Sequence, residues 1–141
     1  MKKLLGTLIL IGAMTLAMAV PASAFEICFG FSGYGNSLKL EVTQFGNSFL
    51  LTGHERVFTE RAAFGSAYIT PSNTVQLAVH VVANASGYYD VVYNANLSLA
   101  TLSGTTNFNQ IGGSQYTGVS MSSISCSGVP DSRGAPDTGS R

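Results

Sequence analysis

The chain has 141 residues, with seven Lys and Arg balanced by seven Asp and Glu, and two Cys. With the first 24 residues taken as a removable signal, 117 residues remain, the size of one domain, carrying five basic and seven acidic side chains. Charge this sparse excludes a phosphate-neutralising surface, and hence nucleic-acid binding, and after the signal no apolar stretch approaches the ~20 residues of a membrane helix.

Met1-Lys2-Lys3 makes a short positive start, Leu4 to Val20 an apolar run, Pro21 a helix break, and Ala22-Ser23-Ala24 an A-x-A cleavage pattern. Cleavage is expected before Phe25. The expected organisation is a signal peptide over 1–24, a β domain over 25–127 and a disordered tail over 128–141. Cys28 lies past the cleavage point, not at it, which argues against a lipoprotein. The compact Lys-Lys start points to a Gram-negative bacterium and to a periplasmic or extracellular protein. In such an oxidising compartment Cys28 and Cys126 are expected to pair as a disulfide, bringing the first and last strands together.

Beyond the signal, helix signals are nearly absent and period-two alternation is plentiful. Odd positions are apolar in Phe25 to Phe31, and even positions in Leu38 to Val42. Val75, Leu77, Val79 and Val81 share one face, with His80 on the polar one. The longest run sets Tyr89, Val91, Tyr93, Ala95, Leu97 and Leu99 against Asp90, Asn94, Asn96 and Ser98. Turn chemistry falls at Gly33-Tyr34-Gly35-Asn36, Gly46-Asn47, Pro71-Ser72-Asn73, Asn84 to Gly87, Ser103-Gly104 and Gly112-Gly113-Ser114. A Gly-Asn-Ser sequence recurs at 35–37 and 46–48, marking two similar hairpin corners. These signals predict an all-β fold of about eight strands, at 25–32, 37–44, 48–57, 61–70, 74–83, 88–101, 104–111 and 115–126. Short connections make a meander, and the disulfide closes it into a small barrel; a two-sheet sandwich is the alternative. Short strands, short loops and a polar tail argue against an outer-membrane barrel.

The few charges cluster. His54, Glu55, Arg56, Glu60 and Arg61 lie within eight positions, where strands three and four join. The functional reading is a polar site at one barrel mouth, with His54 as acid or base and the arginines as anion clamps. The simpler reading is a solvated hairpin end with weak ion pairs. Standard motifs fail on inspection. Phe58 occupies the position where a zinc protease motif starting at His54-Glu55 needs its second His, no G-x-S-x-G is present, and Gly33-Tyr34-Gly35 is followed by Leu38 where a third Gly is needed. No enzyme, metal site or cofactor is expected.

The interior is the other candidate site. An eight-stranded barrel is filled by side chains or holds one small ligand. Tyr68, Tyr89, Tyr93, Phe29 and Phe31 are candidate lining residues. On the fourth strand, Ala63, Gly65 and Ala67 oppose Phe64, Ser66 and Tyr68. If the small face points inward there is room for a ligand; if the aromatic face does, the core is full. In architecture alone such a barrel is similar to lipocalins and avidins, which implies a carrier of a small apolar ligand, though the tryptophans of those families are missing here.

In the tail, Val129-Pro130-Asp131-Ser132 resembles the start of the Val-Pro-Asp-Ser-Gly form of the PEP-CTERM sorting signals read by exosortase systems. Arg133 stands where that motif has glycine, and the hydrophobic helix that follows in the family is missing. The resemblance implies an exported, surface-associated protein and says nothing of catalysis. Gln44-Phe45-Gly46-Asn47 is similar to the Gln and Asn ladders of curlin repeats, but it does not recur. The functional expectation is a non-enzymatic binding or cell-surface structural module. The alternatives are a carrier of a small apolar ligand and an inhibitor that engages a protein partner through the 53–61 loop.

Overall fold

The computed structural model describes residues 24–56, 59–83 and 87–129. Eight strands, β1 (Ala24–Phe31), β2 (Ser37–Phe45), β3 (Ser48–Arg56), β4 (Glu60–Ile69), β5 (Thr74–Val81), β6 (Val91–Ser98), β7 (Ser103–Gln110) and β8 (Gln115–Ile124), run in chain order around a closed antiparallel barrel. β1 closes the ring against β8, with Cys28 opposite Ile124 and Phe31 opposite Met121. A sandwich is thereby excluded. The Cys28–Cys126 disulfide lies beside this seam, with Cα atoms 5.2 Å apart, and a short 3₁₀ turn, Cys126–Gly128, follows β8. Val129 is buried, so the fold runs two residues past the expected domain end at 127. The expected signal peptide, apart from Ala24 at the start of β1, and the tail from residue 130, including most of the sorting-signal resemblance, lie outside the described residues.

Alternation sets the inside and the outside. Phe29 and Phe31 of β1, Leu38, Leu40 and Val42 of β2, Val75 to Val81 of β5 in alternation and Val91, Tyr93, Ala95 and Leu97 of β6 form one buried core. The small face of β4 points inward, since Ala63 and Ala67 are buried and Phe64 and Tyr68 are exposed. Glycine lets the wall bend where strands approach closely. A Cβ at Gly53 would stand 2.0 Å from the Lys39 carbonyl oxygen, and one at Gly65 2.0 Å from that of Ala78.

Two expectations shift at β6. The expected strand 88–101 shortens to Val91–Ser98. Upstream, the Asp90 carbonyl takes the Ile111 N–H at 2.8 Å and the Tyr89 carbonyl takes Arg61, so both residues leave the ladder with β5. Downstream, Leu102 N–H bonds to Ser98 O at 2.8 Å and Leu102 adopts φ 49°, placing the turn at 99–102. Ser103-Gly104, read as a turn, lies within β7. The barrel therefore has two unlike ends. Turns 46–47, 70–73 and 99–102 and the start of β1 mark the first; turns 32–36 and 111–114 and the junctions of β3 with β4 and β5 with β6 mark the second.

Candidate functional site

At the first end the inward side chains are apolar and do not meet. Phe25, Ile27 and Phe29 of β1, Phe49 of β3, and Leu99 and Leu102 of the β6–β7 turn surround a cavity of about 180 Å³. Ala67, Val42, Leu51, Val75 and Leu77 form its floor, and among the described residues every lining side chain is hydrocarbon. The space exists because Ala67 lies across from Phe49 and Leu77 in the ladder, where a larger side chain would fill it. Phe25 and Leu99, 45 % and 37 % exposed, edge the opening.

The second end is closed by rings and a buried ion pair. Phe31 stacks on Tyr93 with centroids 5.0 Å apart, Tyr93 meets Phe108 at 5.4 Å, and Phe108 stacks on Tyr116 at 4.4 Å. Glu55 and Arg61 face each other across the β3–β4 ladder, both inward, and are 0 % and 7 % exposed. Arg61 Nη2 and the Tyr93 hydroxyl donate to Glu55, and Asn36 Nδ2 donates to the same carboxylate at 3.1 Å and to the Tyr93 oxygen at 2.8 Å. Arg61 Nη1 donates to the Tyr89 carbonyl at 2.9 Å, while its Nε has no partner among the described residues. Burial, reinforced by the Glu55 charge, pushes the Tyr93 phenol far above its ordinary range, so it remains a neutral donor. Both Glu55 oxygens are engaged, and the cluster is a polar plug that holds four elements in place.

Of the residues singled out in the sequence, the structure thus brings together Glu55, Arg61 and Tyr93. Most of the 53–61 segment is strand: Gly53 to Arg56 complete β3 and Glu60 and Arg61 begin β4, while residues 57 and 58 lie outside the described residues. The simpler reading, a solvated hairpin end, fails for Glu55 and Arg61 because strand alternation turns both into the barrel. His54, Arg56 and Glu60 point outward. His54 Nε2 lies 3.3 Å from Glu60 Oε1 without hydrogen-bond alignment, and Arg56 sits opposite Glu60. Tyr68 and Tyr89 do not line the interior and are 48 % and 47 % exposed. Tyr68 belongs to the outer face of β4, and Tyr89 precedes β6 and contributes only its carbonyl. Phe29 alone of the five expected lining residues reaches the cavity; Phe31 and Tyr93 join the ring stack.

His80 lies half-exposed on the outer face, 3.2 Å from Asp90 Oδ2. The Ala83 N–H, 2.7 Å from Asp90 Oδ1, together with His80, holds the Asp90 carboxyl below its usual range. Among the described residues one trio brings metal-ligand atoms close together, Glu26, Cys28 and Cys126, and both of its sulfurs are spent in the disulfide. Sequence reasoning missed Asn36, which gives no signal beyond turn chemistry. It also missed Ile27, Phe49, Leu99 and Leu102, although the parity of β1 already placed Ile27 on the face of Phe29 and Phe31. Comparison with protein-family models, with curated proteins and with solved structures finds no match for the chain.

Proposed function

We propose that the protein is an exported, non-enzymatic binding module whose barrel takes a small apolar ligand at its open end. The observation that carries this reading is the cavity of about 180 Å³, lined by hydrocarbon alone and edged by exposed Phe25 and Leu99. An engineered cavity of about 150 Å³ with Leu, Ile and Phe walls stays dry and takes up benzene. The ligand is therefore of that size, one ring or a short branched chain, and it is selected by shape and apolarity. Among the described residues no titratable group faces the cavity, which favours carriage over chemistry. The A-x-A pattern at Ala22-Ser23-Ala24 and the disulfide support export. An inhibitor acting through the 53–61 segment is the weaker reading, because residues 53–56 and 60–61 are tied into two strands.

The test uses toluene, a single apolar ring, titrated into the protein by isothermal calorimetry. The wild-type protein is expected to bind it saturably. Ala67→Leu, which places three more carbons in the void, is expected to abolish the binding with the melting temperature unchanged or raised. No binding by the wild type, or equal binding by the variant, overturns the proposal.

A further inference from the structure

The outer wall carries a second concave feature, independent of the cavity. Ser66 and Tyr68 of β4, Gln76 and Ala78 of β5, and Asn94 and Asn96 of β6 line a groove of about 230 Å³. The ladder explains its shape. Ser66, Ala78 and Asn94 form one cross-strand row and Tyr68, Gln76 and Asn96 the next, so two small side chains make a trough beside a wall of longer ones. The Tyr68 hydroxyl donates to Gln76 Oε1, which braces the exposed ring at the edge of the trough.

Asparagine is depleted in strands, yet Asn94 and Asn96 hold successive outward positions in the middle of β6. Their side chains make no hydrogen bond among the described residues, so they spend nothing on the fold. Asn107, next to Asn94 on β7, differs: its Oδ1 takes the Gly118 N–H at 2.9 Å and serves the bulge in β8. A local preference broken without a structural return marks a functional position. Each amide offers a donor pair and an acceptor in one plane. No lining residue among those described is charged.

We propose that this groove binds a neutral saccharide chain. Adjacent sugar hydroxyls both donate and accept, which matches the free amides of Asn94 and Asn96 and the Nε2 donors of Gln76. The flat C–H face of a pyranose stacks on an aromatic ring, which Tyr68 presents, and the Ser66–Ala78 trough gives the ring room. The uncharged lining matches a neutral polymer and offers nothing to an anionic one. A closed barrel has no free strand edge, so strand addition from a second copy or a peptide has no template.

The test is native electrophoresis through gels containing soluble β-1,3-glucan, galactomannan, dextran or, as the anionic control, alginate. At least one neutral polymer is expected to retard the wild-type protein, and alginate is not. Tyr68→Ala and the double variant Asn94→Ala/Asn96→Ala are expected to weaken the retardation constant about tenfold or more, a loss that corresponds to roughly 1.4 kcal/mol. Their melting temperatures are expected to stay unchanged, because these side chains are exposed. Ala67→Leu is expected to retain full retardation, which separates this groove from the cavity. Retardation by none of the polymers, retardation by alginate alone, or full retardation of both groove variants overturns the proposal. So does a wild-type protein that elutes as an oligomer and becomes monomeric in the groove variants.

Discussion

Arg61→Met probes the buried plug directly. Glu55 is 0 % exposed, and its charge is offset by the guanidinium opposite it on β4. Removing one partner of such a pair leaves an uncompensated buried charge and costs about 3–5 kcal/mol. The Tyr93 hydroxyl and Asn36 Nδ2 still donate to the carboxylate, so the expected loss is about 3 kcal/mol, at the low end of that range. For a domain of this size that lowers the melting temperature by roughly 12–24 °C. The assay is urea unfolding followed by far-ultraviolet circular dichroism, with the m-value checked for constancy so that a midpoint shift reads as stability. Two companions sharpen the result. Arg56→Ala removes an outward cation at the end of β3 and is expected to change stability by no more than about 0.5 kcal/mol. Glu55→Leu/Arg61→Met removes both charges and is expected to recover most of the loss, because apolar replacement of a buried pair is often neutral or better. A loss below about 1 kcal/mol for Arg61→Met, or a double variant as unstable as the single one, would refute the reasoning.

Further expectations follow from the wall and the plug. Replacing both Cys28 and Cys126 with Ser opens a crosslink spanning 98 residues, and the chain-entropy treatment gives a loss of about 4–5 kcal/mol, measurable by urea unfolding with and without reductant. Gly65→Ala drives a Cβ to within 2.0 Å of the Ala78 carbonyl and is expected to cost about 2–3 kcal/mol by the same assay. The Tyr93 phenol keeps its proton in the folded state well above the pH at which it ionises when unfolded. Its contribution is therefore complete below about pH 10 and is lost at about 1.4 kcal/mol per pH unit as the pH rises further. Tyr93→Phe is expected to lower stability at neutral pH and to flatten that alkaline decline, and an unchanged alkaline slope would contradict the burial argument.

The eight strands were legible because period-two alternation and Gly, Asn and Pro turns carry local information. The closure was legible because Cys28 and Cys126 stand near the two ends of the domain. Tyr68 and Tyr89 were misplaced for different reasons. Tyr68 belongs to the aromatic face of β4, and the direction of that face is decided by which strand-four residues can pack against β3 and β5, not by hydrophobicity. Tyr89 continues the parity of β6 but precedes the ladder, because its carbonyl answers to Arg61. The charged segment misled in the same way: charge density suggests solvent, yet alternation turns Glu55 and Arg61 inward together, where they satisfy each other. The hollow end was half-visible in the Ala63, Gly65, Ala67 series. Its size depends on Leu99 and Leu102, whose positions follow from a turn at 99–102 that the sequence placed at Ser103-Gly104.

The most direct test of the binding account is native mass spectrometry of the protein purified from its own source without denaturation. The account predicts a chain starting at Phe25, lighter by the hydrogens of one disulfide, carrying a small adduct that leaves on denaturation and is missing from Ala67→Leu. A bare chain, or an adduct retained equally by Ala67→Leu, would contradict it.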